Sequence, residues 1–237
     1  DYDKAMEIIR KKGQAVAAKR SEREASEGCV LAKTTGDYAV VIALKCETDF
    51  VAQNADFVKL TQDILDLAVA NKCKTLDEVK ALPMGNGTVQ DAVTDRSGIT
   101  GEKMELDGYM TVEGASTAVY NHMNRNGLCT IVAFNKNVDE QLAKQVAMQI
   151  AAMSPAYLDE ASVPAEVVEH EKTILAAQMK EDPKMASKPE AVLAKIAAGK
   201  MGKYYKENCL VDQEFVRSDL FQGDVKGYVA SVAKELG

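Results

Sequence analysis

The sequence predicts an α+β protein made of two repeated units, each with a small antiparallel sheet and helices. A helical hairpin is inserted in the second unit, and a short helix opens the chain. Three observations predict this. Two pairs of β-like runs, each around a tight polar turn, occur within Val30–Cys46 and Ser116–Phe134. Each pair is followed by a stretch of helical period. A late segment, Lys226–Val232, echoes the run Gly108-Tyr109-Met110-Thr111-Val112, so that each unit reads strand–strand–helix–strand.

The elements are read in order. Residues 3–12 form a short helix, with Gly13 as the residue that closes it. A polar, Ala-rich stretch with Lys19, Arg20 and Arg23 follows; it reads either as a solvated linker or as a basic patch for a partner. Val30–Thr34 and Tyr38–Cys46 flank Gly36-Asp37 and make a hairpin. Thr48 can cap a helical turn holding Asp49 and Phe50, and Asn54 can cap the longer helix after it. In that helix Phe57, Leu60, Ile64 and Ala68 share one face. A Gly- and Asp-rich loop spans about 84–101, and Lys103–Glu113 returns as a strand. Ser116–His122 and Leu128–Phe134 are strands around Asn124–Gly127. Asp139–Met153 is a helix with Leu142, Val146, Ile150 and Met153 on one face. Pro164 starts another helix, Glu181–Pro189 turns the chain, and Pro189–Lys206 is a helix that completes the hairpin. The boundaries that follow are 1–27 for the N-terminal segment, 28–114 for the first unit and 115–237 for the second, with its hairpin at about 163–206.

The 237 residues suffice for a real core. Trp is absent and aromatics are 5% of the chain, so that core rests on Ala, Val, Leu, Ile and Met. The net charge of −7 argues against a mainly electrostatic nucleic-acid binder, which needs a basic face. The five cysteines are scattered, without metal-ligand spacing, and read as free cytosolic thiols. No apolar run approaches the ~18 residues of a membrane span. The chain opens at Asp1 inside a helical pattern, from which we expect the natural N-terminus to lie further upstream.

Visible catalytic chemistry is sparse. A Gly-x-x-x-x-Gly-Lys-[Ser/Thr] loop is absent from the sequence, and Gly85-Asn86-Gly87 reads as a turn. His122 and His170 have no cysteine or carboxylate at metal-ligand spacing. His170 lies on a solvated helix face. His122 ends a strand whose counterpart ends in the Asp49–Phe50 loop, and it reads as structural or as a contact residue. No serine sits in a nucleophile-elbow context.

The string Glu47-Thr48-Asp49-Phe50-Val51-Ala52-Gln53-Asn54 carries more information than the rest. It places an acid and an aromatic where a buried strand ends, with no base beside them. Phe50 either tucks into its own core or is presented to a partner. Phe57 already supplies the aromatic of the helix face, and an unpaired buried carboxylate is costly. An exposed aromatic among polar groups has the character of a binding hot spot.

This string resembles the signature of the elongation factor Ts family. The resemblance extends over nearly the whole chain. Asp1–Glu27 is similar to the end of the family's N-terminal helical module, whose first two helices are missing here. Gly101-Glu102-Lys103-Met104, Tyr120-Asn121-His122, Val146–Ala152 and Glu207–Phe215 resemble further family segments. Gln149, Thr100 and Glu214 depart from the usual His, Ile and Pro, and Thr100 is expected to weaken one contact. The resemblance implies a guanine-nucleotide exchange factor that binds elongation factor Tu–GDP and promotes GDP release in translation elongation. It implies a cytoplasmic protein that is not an enzyme, with no cofactor, no metal, no direct nucleic-acid or membrane contact and no small-molecule substrate. It implies partner contacts through Thr48, Asp49, Phe50, Val51 and His122. Phe50 would enter an apolar gap between two helices of the GTPase, with Asp49 making polar contacts and His122 packing nearby. The displaced helices would carry away the region that orders Mg²⁺. The alternatives are a non-catalytic scaffold on the same fold with another partner, and an enzyme whose site is assembled from distant residues.

Overall fold

The computed structural model describes residues 1–236. Its elements are α1 (Tyr2–Lys19), β1 (Glu27–Thr34), β2 (Tyr38–Cys46), α2 (Asp49–Ala52), α3 (Ala55–Ala70), α4 (Leu76–Ala81), β3 (Pro83–Met84), β4 (Gly87–Thr88), α5 (Val89–Thr100), β5 (Glu105–Glu113), β6 (Ser116–Asn121), β7 (Cys129–Phe134), α6 (Glu140–Met153), α7 (Ala165–Glu181), α8 (Pro183–Ala186), α9 (Glu190–Asn208) and α10 (Val225–Leu236). The protein is therefore mixed α and β, with small antiparallel sheets and an N-terminal helix, as the sequence predicts. It forms two compact units, Asp1–Ala151 and the segment from Ala152 onward.

The first unit is built on a three-stranded sheet of order β1-β2-β5. β2 is central and apolar, with Tyr38, Val40, Ile42, Leu44 and Cys46 all buried. α3 covers it through Phe57, Ile64, Leu65 and Ala68, which share one helical stripe. Asn54 caps α3, its Oδ1 accepting from the amides of Asp56 and Phe57. The open end of the second hairpin, β6–β7, meets the tip of the first: the Thr117 amide donates to the Gly36 carbonyl at 2.7 Å, and the Thr34 and Thr117 hydroxyls share a 2.6 Å hydrogen bond. The five cysteines are all buried and unpaired with one another. Burial raises every one of these thiols, Cys46 to about 12 and Cys129 to about 11, so none is an activated nucleophile.

Three sequence expectations are corrected. The first helix does not stop at Gly13; it runs to Lys19, with Gly13 buried in its middle. Here α1 crosses α5 backbone to backbone. A Cβ on Gly98 would sit 2.7 Å from both the Gly13 nitrogen and the Ile9 carbonyl oxygen, and one on Gly13 would meet the Thr94 carbonyl at 2.0 Å. Gly13 is therefore a packing glycine, and an Arg10–Asp95 pair closes the crossing. The expected loop at 84–101 contains α5. Its sequence, Val89–Thr100, is poor in strong helix formers, but a Thr88/Asp91 capping box starts it and packing against α1 holds it.

The third correction concerns Lys226–Val232, which is part of helix α10 rather than a strand. Val225, Tyr228 and Val232 are buried at i, i+3 and i+7, and the Asp224 Oδ1 accepts from the Gly227 amide at the helix start. The sheet of β6 and β7 accordingly has two strands.

In the second unit, α7 and α9 pack together and, with α8, enclose an apolar groove of about 900 Å³ lined by Leu175, Met179, Leu193 and Met201. At the base of this hairpin the buried Gln213 donates from Nε2 to the carbonyls of Met153 and Glu207. Phe215 stacks on Tyr228 at 4.1 Å between ring centres and anchors α10.

Candidate functional site

The turn after β2 is assembled from both ends. β2 delivers a buried Cys46, whose thiol donates to the Thr48 carbonyl. Thr48 is extended and caps α2, its Oγ1 accepting from the Val51 amide at 3.4 Å. One turn later Asn54 caps α3. Two caps six residues apart leave α2 a single turn long, so its outward side cannot be covered by its own helix. Val51 and Ala52 point inward and pack against the core. Asp49 and Phe50 point outward: Asp49 is exposed, and Phe50 is 85% exposed, the most exposed of the large hydrophobic side chains described. Phe50 is therefore not tucked into its own core, the first of its two readings.

The turn is held by residues distant in sequence. Glu102 follows Gly101, which ends α5 at φ +75° in the left-handed region that glycine enters without strain. From there its carboxyl group accepts three hydrogen bonds. The Glu47 and Thr48 amides reach Oε2 at 3.1 Å each, and the Thr48 hydroxyl reaches Oε1 at 2.6 Å. Glu102 is itself tethered, since the Ser97 hydroxyl donates to its carbonyl and its amide donates to the Thr100 hydroxyl. Thr100, unusual beside the expected Ile, thus supplies a bond that Ile cannot make.

Glu47 forms the other half of the brace. Its side chain is 12% exposed and faces Arg20 at 2.8 Å and Arg23 at 3.2 Å. The Lys103 amide adds a bond of 2.7 Å. Burial by itself would raise the Glu47 pKa, but the Lys103 amide and the two guanidinium groups outweigh it and hold the carboxyl at about 2. Lys103 reaches back to the carbonyls of Ser21 and Arg23 at 2.9 and 2.8 Å. The basic stretch after α1, read above as linker or partner patch, is therefore an internal strut in its Arg20 and Arg23. Glu102, Lys103, Arg20 and Arg23 were not among the predicted site residues. Spacing offers no signal for bonds that cross 24 to 82 residues.

Thr48, Asp49, Phe50 and Val51 thus lie on one turn, while His122 lies on another. β6 is the first strand of its hairpin, so His122 opens the β6–β7 connection; the Asp49–Phe50 turn follows a completed hairpin. The two are not counterparts, contrary to the sequence reading. His122 is exposed, and its Nδ1 shares a 3.2 Å hydrogen bond with the Tyr120 hydroxyl. His122 begins a tight turn in which Met123, Asn124 and Asn126 all have positive φ. Among the described residues, no group of His, Cys, Asp and Glu is placed to hold a metal ion, and no helix is long and apolar enough to cross a membrane.

Comparison with known proteins bears on this arrangement. The family model described as Elongation factor TS matches residues 47–236, beginning at the braced Glu47. Elongation factor Ts of Bacteroides thetaiotaomicron is 67% identical over 266 aligned residues, covering 90% of this chain and 81% of that protein. The protein of the same name from Bacteroides fragilis is 55% identical, covering 99% and 85%. That of Porphyromonas gingivalis is 51% identical, covering 92% and 78%. With a family model spanning most of its length and relatives this similar across nearly all of it, the chain belongs to the elongation factor Ts family of translation elongation factors.

Proposed function

We propose that this chain is a guanine-nucleotide exchange factor acting on elongation factor Tu: it binds Tu–GDP and promotes GDP release during translation elongation. The observation that carries the reading is Phe50, 85% exposed on a capped turn whose neighbours Val51 and Ala52 are anchored in the core. Exposing a phenylalanine to water forfeits the ~1.5–3 kcal/mol its burial is worth. A rigid, anchored turn that keeps it exposed is suited to an apolar pocket on a partner. Rigidity matters because little conformational entropy is then lost on docking.

The mechanism needs no chemical step in this chain. A protein that binds nucleotide-free Tu more tightly than Tu–GDP must weaken GDP binding by the same factor. Phe50 acts as the wedge in this reading, the exposed Asp49 carboxylate contacts polar groups at the rim, Thr48 and Val51 support them, and His122 adds a second contact. The protein works in the cytoplasm, and the GTPase is its partner rather than a nucleic acid, a membrane or a small molecule.

The test is release of a fluorescent GDP analogue from Tu, with and without the chain. Acceleration that saturates with the chain's concentration is expected. Unchanged release at concentrations where the two proteins co-elute would favour a scaffold role instead, and would overturn the exchange reading.

A further inference from the structure

Glu102 makes no bond described above to the exposed ring of Phe50. What it does touch is specific. Its carboxyl group takes the two successive amides that enter the turn, Glu47 and Thr48, together with the hydroxyl that caps α2. These three donors lie in the residues immediately before Asp49 and Phe50. A group that binds the backbone on entry and the cap at the same time fixes both the direction of the chain and the start of the helical turn. The acceptor end is fixed as well: Gly101 turns the chain out of α5, and Ser97 and Thr100 hold the Glu102 backbone.

We infer that Glu102 is a positioning residue for exchange: it holds the Thr48–Phe50 turn in its binding-competent form before the partner arrives. This rests on the reading of Phe50 as the wedge. The physical expectation follows from population arithmetic. If only a fraction of molecules carries a competent turn, apparent affinity falls by that fraction, while the rate at saturation is preserved because every complex that forms is the competent one. Loss of Glu102 should therefore act on the half-saturating concentration and not on the maximal rate.

Glu102→Ala should raise the concentration of the chain needed for half-maximal GDP release about tenfold, for a competent fraction of about a tenth, with the maximal rate unchanged. Glu102→Gln should restore the half-saturating concentration to within about twofold. Its carbonyl can accept the two amides and its amide can donate to the Thr48 oxygen. Glu102→Asp keeps the charge but is one methylene shorter, so it should fall between the two; it also serves as the test if the alanine variant does not fold. The decisive measurement is a cycle with Phe50→Ala. If Glu102 acts through the turn, Glu102→Ala should add little in the Phe50→Ala background. A role in stability alone would leave the two losses multiplicative.

Multiplicative losses, a wild-type half-saturating concentration in Glu102→Ala, or a Gln variant as impaired as the Ala variant would each overturn the inference. If Phe50→Ala is impaired and Glu102→Ala is not, the positioning role fails alone. If Phe50→Ala itself releases GDP like the wild type, the wedge reading fails first and takes the positioning role with it.

Discussion

At the end of β2 the chain turns through Thr48–Ala52, and at the end of β6 it turns through His122–Asn124; both turns present side chains to solvent. They are held by different means. The His122 turn is tied mainly to its own neighbours. Its amide donates to the Leu128 carbonyl, Asn121 and Asn126 bond through their side chains, and Tyr120 meets the imidazole. Its bond from further away is that of the Val30 amide to the Asn126 carbonyl. The Thr48 turn has a local cap, a bond from the Cys46 thiol and the packing of Val51 and Ala52 on the core, and to these it adds bonds from Glu102 and the brace of Lys103, Arg20 and Arg23 on Glu47. A turn held by its own sequence is as good as its local propensity. A turn held from the ends of two helices and a strand is as good as the packing that positions them. The second arrangement draws on partners distant in sequence, and it carries the 85% exposed Phe50.

The largest expected effect tests that contrast directly. Phe50→Ala should weaken stimulated GDP release at limiting concentration by roughly 30- to 1000-fold, from a hot-spot loss of about 2–4 kcal/mol at about 1.4 kcal/mol per tenfold. Because Phe50 is already 85% exposed, thermal unfolding should hardly move. Normal release with a collapsed melting temperature would end the wedge reading. Asp49→Ala, at an exposed rim position, should cost clearly less in the same assay.

Thr48→Ala comes next. It removes the α2 cap and one of the three donors to Glu102. A lost cap costs about 1 kcal/mol, so release at limiting concentration should fall about fivefold. Wild-type release in this variant would show that the brace on the turn is redundant.

His122→Ala is expected to be milder still, about threefold in release, as for a contact at the edge of an interface. Its side chain is exposed, so stability should change by less than about 0.5 kcal/mol. A large drop in melting temperature with unchanged release would return His122 to a structural role.

Glu47→Gln is read on stability rather than on release, and its signature is the dependence on pH. The folded-state pKa of Glu47 is about 2, below its ordinary value near 4.5, so its ionised form is favoured by folding. That contribution is fully present above about pH 4.5 and is lost as pH falls through about 2. The wild type should therefore be more stable than Glu47→Gln at pH 6, and the difference should shrink steadily between pH 4.5 and 2. A difference that stays constant over this window would show that Arg20 and Arg23 do not recognise the charge.

Local chemistry explains what could be read in advance. The apolar run Tyr38–Leu44, the caps at Thr48 and Asn54, the buried face of Phe57, Ile64 and Ala68, and the helices after Pro164 and Pro189 depend on residues within about one helical turn or one strand pair. The same range explains the errors. In Lys226–Val232 a resemblance to β5 outweighed the i, i+3, i+7 burial of Val225, Tyr228 and Val232. Gly13 has the look of a helix stop because a glycine that ends a helix and one that lets two helices touch are the same residue; the difference lies in Gly98, 85 positions away.

By itself, then, the sequence determined the mixed α and β class, the central apolar strand, the capped turn after it and the family signature on that turn. Tertiary structure decided how the turn is presented: that Phe50 faces outward while Val51 faces the core, and that Glu102 and Glu47 clasp the turn from both sides. The physical reason is one of range. Caps and periodicity are fixed by backbone geometry over a few residues. A carboxyl group meeting an amide 54 residues away exists only once α5 has ended at Gly101 and the strands beside it have paired.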